Sequence, residues 1–219
     1  MAMFPKKYSI LIIGPSGAGV FDFCAYLASF YLRNDQSVVF IETDTSRSFV
    51  RRQLRNFGIK DIEYEGDSLA IIDCFSEPSL LEEPVTLGNP ANLPELLQKI
   101  EQTIVTFEQP VRVILDSLSS LHLYNGPNDV NDFLVKLSDA SKKSGSLTTT
   151  MHSNLHTPEQ IELVCSICDG VIEMRVDEDL KKSLRISKMK DLYVEPNWVS
   201  FELEPAENIA GSSFIWKKD

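Results

Sequence analysis

The chain has little to staple it covalently and nothing to hold it in a bilayer. Only four cysteines occur among 219 residues, at positions 24, 74, 165 and 168, all in apolar contexts and too sparse for a disulfide framework. No stretch reaches the roughly 18 consecutive apolar residues of a membrane-spanning helix. The opening Met1-Ala2-Met3-Phe4-Pro5-Lys6-Lys7 lacks the long apolar segment and small-residue cleavage site of a secretory leader. These absences predict a cytoplasmic protein with no membrane partner. Basic residues are also scarce: 21 Lys and Arg stand against 32 Asp and Glu, a net charge of −11. That argues against a protein that coats nucleic acid, because phosphate neutralisation needs concentrated basic surface. What is present is ordinary, with 43% hydrophobic and 24% charged residues, the usage of a compact domain. A single domain over residues 1–219 is expected.

The basic deficit is local. Residues 1–60 carry 8 basic and 4 acidic side chains, whereas residues 61–110 carry Lys99 alone against 11 acidic ones. Arg47, Arg51 and Arg55 recur at i, i+4 and i+8 with Arg52 beside them, one basic face of a predicted helix. A solvated face, an anionic partner and the acidic segment of another subunit each account for it.

Apolar patterning gives the fold class. Tyr8–Ile13, Ser37–Ile41, Leu69–Phe75 and Val111–Leu115 are short runs rich in β-branched residues, the mark of strands buried on both faces. Helical patterns stand between them, over Val20–Leu32, around Val50, Leu54 and Phe57, and over Leu96–Phe107. Thr45 and Ser46 offer N-caps for the second of these. Val130–Lys142 and Thr157–Cys168 are further helices, with an extended Leu147–Met151 between them. Prolines at 78, 84, 90 and 94 predict an irregular loop over about 76–94. Gly170–Val176, Ser183–Lys190 and Asn197–Leu203 are strands without intervening helices. The pattern predicts an α/β domain: a mainly parallel twisted sheet with helices on both faces, ending in antiparallel strands.

The most informative stretch joins the first strand to the first helix. Gly14-Pro15-Ser16-Gly17-Ala18-Gly19-Val20-Phe21 has the glycine spacing of the phosphate loop G-x-x-x-x-G-K-[ST], but Val20 stands for the lysine and Phe21 for the hydroxyl residue. Loop amides still offer donors to an anion. The cation that neutralises the β- and γ-phosphates and the hydroxyl that holds Mg²⁺ are missing. Asp22, in the first helical turn, opposes a second anion there. Residual nucleotide binding and a purely structural strand-to-helix turn are the two readings.

This loop, together with four further segments in register, resembles the RecA-like P-loop ATPases, specifically the KaiC-like branch that also resembles RadA recombinases. Leu69-Ala70-Ile71-Ile72-Asp73-Cys74-Phe75-Ser76-Glu77 resembles the family's strand ending D-A-Y-S-E, and Val113–Leu121 its Walker B segment. Asp169–Met174 and Leu184-Arg185-Ile186-Ser187-Lys188-Met189-Lys190 resemble the last hairpin. The resemblance spans roughly residues 8–210. It implies ATP or ADP with Mg²⁺ as cofactor, Gly14–Phe21 as its cradle, and Asp116 as the carboxylate orienting the metal. Asp44, or Glu42 in its stead, takes the place of the catalytic glutamate, and Lys188 and Lys190 reach a nucleotide on a neighbouring subunit. A loop or capping role is the alternative for Asp116, and a plain surface role for the two lysines.

The departures at Val20, Phe21 and Asp44 point to a protein deficient in ATP hydrolysis, with no cofactor, that acts as a binding or regulatory module through a protein or peptide partner. The alternative is a divergent ATPase working in a homo-oligomer, linked to DNA recombination or signalling; overall charge disfavours DNA. Cys165 and Cys168 form a lone C-x-x-C read as helix packing rather than a zinc site. His152 and His156 flank the strand end where this fold places its γ-phosphate sensor, with Ser153 or Asn154 the better positional match and no acidic companion evident.

Overall fold

The computed structural model describes residues 4–76, 86–108, 110–204 and 213–217. One sheet of ten strands organises them, in the order β10-β9-β8-β7-β1-β6-β5-β2-β3-β4. The strands are β1 (Ser9–Gly14), β2 (Ser37–Glu42), β3 (Leu69–Asp73), β4 (Thr86–Leu87), β5 (Val111–Asp116), β6 (Gly145–His152), β7 (Gly170–Val176), β8 (Lys182–Met189), β9 (Val199–Glu204) and β10 (Ser213–Lys217). From β7 to β4 every neighbour is parallel, while β8, β9 and β10 add on antiparallel. This is the mainly parallel α/β fold expected from the sequence.

Helix α1 (Val20–Leu32) covers one face of the sheet with α2 (Arg47–Asn56) and the short α3 (Asp61–Tyr64). Helices α4 (Leu93–Ile104), α6 (Pro127–Ser144) and α7 (Pro158–Ile167) cover the other, and α5 (Leu118–Leu121) is a single turn after β5. β2 shows how the two cores divide. Val38 and Phe40 face α1 and α2, and Val39 and Ile41 face the α4–α6 layer; all four are fully buried. Each such side chain contributes roughly 1.5–3 kcal/mol by leaving water. Because side chains alternate along a strand, Glu42 falls on the α1 side with Phe40.

The proline-rich stretch is more regular than expected. Thr86 and Leu87 pair with Ile72 and Asp73 as β4, and Pro94 sits in the first turn of α4, where Asn92 caps the helix by accepting from the Glu95 amide. Proline lacks an N–H that this turn leaves unbonded anyway, so it starts a helix as readily as it breaks one. Residues 77–85, with Pro78 and Pro84, lie outside the described set. Helices α3 and α5 and strand β10 have no counterpart in the sequence pattern, and β3 ends at Asp73 rather than Phe75. The Ser46 side chain does not cap α2. Asp73 instead accepts the Arg47 amide at 2.8 Å.

The arginine stripe of α2 is paired within the molecule. Arg47 and Arg51 converge on Glu65 at 2.7 and 2.6 Å, and Arg55 donates to Asp61 at 2.9 Å. Acidic residues of the same chain meet this face.

Candidate functional site

Parallel strands end together, and their carboxyl edge gathers most of the polar residues singled out above. Gly14 closes β1 and leads into the loop. Gly17 and Gly19 adopt φ of +85° and +86°, which side-chain-bearing residues rarely reach. Ser16 and Gly17 are exposed, Ala18 is buried, and the Ala18 amide bonds the Pro15 carbonyl at 3.2 Å. Gly19 is the N-cap of α1, with no side-chain hydrogen bond to the first turn.

The two departures from the phosphate-loop pattern have definite places. Val20 is buried, and its Cγ2 lies 3.1 Å from where a Cβ on Gly14 would stand. Phe21 packs its ring against Phe49 of α2 at 5.0 Å between centroids and against Phe40 of β2 at 6.1 Å. Its side chain is committed to the α1–α2 seam.

Beside the loop, three carboxylates line up across the sheet. Glu42 is registered with Asp73 on one side and Asp116 on the other, and all three are buried, at 0%, 1% and 4% exposure. Their partners differ. Asp73 accepts the amides of Arg47, Phe75 and Ser76 and the Ser76 hydroxyl at 2.7–2.9 Å. Burial would raise it, but these bonds hold it below the ordinary carboxylate range. Glu42 accepts the amides of Asp44 and Thr45 through Oε1, at 2.9 and 2.8 Å, while its Oε2 is buried without a partner. Burial first, and then the neighbouring charge of Asp116, push it to about 9. Asp116 accepts from the Thr150 hydroxyl, yet burial still lifts it to about 6.

Asp44 follows the end of β2 by two residues. It accepts from the Ser120 hydroxyl, from Ser117 Oγ at 3.0 Å, and pairs with His152 Nε2 at 3.1 Å. Burial acts upward on it, and the bonds from His152, Ser120 and Ser117 outweigh that and bring it below its usual value. The same contact raises His152 against burial. His152 thus has the acidic companion that the sequence did not reveal, because Asp44 is 108 residues away. Ser119 Oγ accepts the His152 amide at 2.9 Å and bonds His156 Nε2 at 2.8 Å, and the His156 ring lies 4.9 Å from that of His122. All three histidines of the chain therefore sit at this edge. Burial lowers both His122 and His156, with His122 adding to the effect on His156.

The remaining candidates lie elsewhere. The Lys188 ammonium donates to the carbonyls of Cys165 and Cys168 at 2.7 and 2.8 Å, capping the carboxyl end of its own α7. A reach toward a neighbouring subunit would have to break both bonds. Lys190 is exposed, and its carbonyl accepts from the Tyr8 hydroxyl. Ser153 and Asn154 form a short 3-10 turn after β6. Among the described residues no group of three His, Cys, Asp or Glu side chains is arranged to hold a metal ion. The residues present thus form a glycine loop of phosphate-loop spacing beside a buried strand-end carboxylate, with Val20 and Phe21 where that spacing calls for a lysine and a hydroxyl.

The sequence profile described as ATPase: KaiC matches residues 2–210. The chain belongs to the KaiC family of ATPases. Among solved structures, it is similar to a KaiC-like protein from the hyperthermophilic archaeon Pyrococcus horikoshii OT3, at TM-score 0.71 and 20% identity. That likeness covers 97% of this chain and 91% of the other, and at such identity it speaks to the fold. No curated protein matches the chain. Among the described residues no helix is long and apolar enough to cross a membrane.

Proposed function

We propose that this KaiC-family chain neither binds Mg·ATP tightly nor turns it over, and that it works as a binding or regulatory module through contacts with a protein or peptide. The observation that carries the reading is the lodging of Phe21 against Phe40 and Phe49 while Val20 holds the lysine position. A ring packed in the α1–α2 seam offers no oxygen to Mg²⁺, and an isopropyl group offers no charge to phosphate. Support for the partner comes from the loops after β3, β5 and β6, where Phe75, Leu123, Tyr124 and Leu155 are 58–76% exposed, apolar surface that a contact would cover.

Calorimetric titration of the wild type with Mg·ATP, beside a phosphate-release assay, tests the reading. No saturable heat and no phosphate are expected; micromolar binding with turnover overturns it. The buried carboxylate row favours a second reading, a divergent ATPase in a homo-oligomer with Asp44 or Glu42 orienting water and Asp116 serving the metal. That reading requires the light-scattering mass to change with Mg·ATP.

A further inference from the structure

The helical layer opposite α1 holds a groove that the site above does not use. α4 and α6 share one buried cluster through Leu96, Ile100, Val130 and Leu134. Outside that seam a cavity of about 390 Å³ remains, with Leu93, Leu97 and Phe133 in its lining, a size within the roughly 300–1,000 Å³ of ligand clefts. Its mouth is fixed by Asn125, whose Nδ2 donates to the carbonyls of Pro90, ahead of α4, and of Leu121, ahead of α6, at 2.8 Å each. The rim is acidic. Glu101 of α4 and Asp129 and Asp132 of α6 are exposed there against one base, Lys136. Among the described residues none of these three carboxylates has a hydrogen bond or ion pair through its side chain. Asp129 complements the N-terminus of α6, whereas Asp132 and Glu101 lie beyond the first turns of their helices. Apolar surface extends the groove at both ends. Leu123 and Tyr124, 76% and 61% exposed, precede Asn125 at the mouth, and Val105, 79% exposed, follows Glu101 by one helical turn.

We propose that the α4–α6 groove receives a basic amphipathic helix of a partner protein, with apolar side chains on Leu97 and Phe133 and Lys or Arg side chains on Glu101 and Asp132. The inference rests on the reading of a protein or peptide partner, and it names where that partner docks and of what chemistry. α4 has 12 residues, about 18 Å of helix, so three to four turns of a ligand helix run its length with anchors at i, i+3, i+4 and i+7. Charge complementarity chooses the occupant. The arginines of α2 meet acids of their own chain, but the groove acids meet no base of theirs. A second copy of this chain, at net charge −11, brings more acid than base, and an uncharged small molecule leaves the rim unanswered.

The test uses a fluorescein-labelled peptide of about 14 residues, built of leucine and lysine with the leucines on one helical face, and fluorescence anisotropy with the intact chain. Saturable binding to the wild type is expected, and a peptide with glutamate in place of lysine is expected to stay free. Glu101→Lys/Asp132→Lys should weaken binding at least about tenfold. Glu178→Lys/Glu195→Lys, which makes the same change of net charge at exposed positions away from the groove, should leave it within about twofold. Leu97→Gln should weaken it at least about fivefold by removing apolar floor. Glu101→Gln/Asp132→Asn, with circular dichroism on every variant, covers the case in which charge reversal disturbs the helices, and should weaken binding about threefold. The proposal is overturned if the lysine peptide does not bind saturably, if the glutamate peptide binds as tightly, or if the two charge reversals weaken binding equally. It is also overturned if light scattering shows wild-type self-association that the groove reversal abolishes, which makes a second copy the occupant. Phosphate release from Mg·ATP by the wild type would defeat the functional reading, whereas equal effects of the two reversals defeat the groove alone.

Discussion

Asp73 and Glu42 are neighbours in register on adjacent strands, both with almost no surface open to water, yet Asp73 is drawn below the ordinary carboxylate range and Glu42, set deeper in the protein, is pushed above it. Their donors differ as well. Asp73 ends β3 where the chain turns back beneath it and supplies amides from Phe75 and Ser76, with the Arg47 amide arriving from α2. Glu42 ends β2 with two amides on one oxygen, none on the other, and Asp116 beside it. Depth of burial and the charge of Asp116 act on Glu42, and the N–H groups aimed at each oxygen decide how far they are offset.

The largest effect expected from this contrast is on stability at pH 7. Asp73→Ala strands three backbone donors and should cost about 3 kcal/mol in chemical denaturation. Glu42→Gln keeps a neutral group of the same shape and should stay within about 1 kcal/mol of wild type. Equal losses at the two positions would break the comparison.

The pH dependence should be opposite in sign at the two sites. Glu42 has a folded value of about 9 against an ordinary 4.5, so its contribution is fully present below the ordinary value and is lost as pH rises toward 9. The slope approaches about 1.4 kcal/mol per pH unit. Asp116 adds to the same decline only up to about 6. Asp73, held low, contributes above its ordinary value and loses that contribution as acid protonates it. Melting temperatures from pH 6 to 9 should fall in wild type and flatten in Glu42→Gln. A wild-type curve no steeper than that of the variant would show Glu42 to be ionised.

A smaller effect sharpens the role of Asp44. His152 should titrate above the ordinary imidazole value in wild type and drop toward it in Asp44→Asn, as read by NMR of the ring protons. An unchanged His152 would mean the pair at the strand edge does not form in solution. The smallest effect belongs to the arginine stripe. Arg55 is 62% exposed against its partner's 3%, and Arg55→Ala should cost under about 1 kcal/mol. Arg51, bidentate to Glu65 and 23% exposed, should cost more in the same assay.

Most of the fold was legible because strands buried on both faces write continuous apolar runs, and α1, bounded by a glycine and Asn34-Asp35, spans Val20–Leu32 in both readings. The short elements β4, α3, α5 and β10 were not, since they show no period of their own and owe their form to neighbours. At the site, chain order placed Gly14, Glu42 and Asp116 at strand ends. It did not reveal which carboxylates are satisfied, because the deciding donors, Thr150 for Asp116 and Ser120 and His152 for Asp44, come from distant parts of the chain.

The inward turning of the cations also bears on how the molecule behaves among its own copies. Arg47, Arg51, Arg55, Lys142 and Arg185 are each tied to a carboxylate of the same chain, and the five share four acidic partners, Glu65, Asp61, Asp169 and Glu173. The excess of acid is not reduced by these ties and is left on a surface with fewer positive charges to interrupt it. Two identical surfaces of that kind repel over about a Debye length. Added salt should therefore favour self-association of this chain, and should weaken its hold on any basic partner.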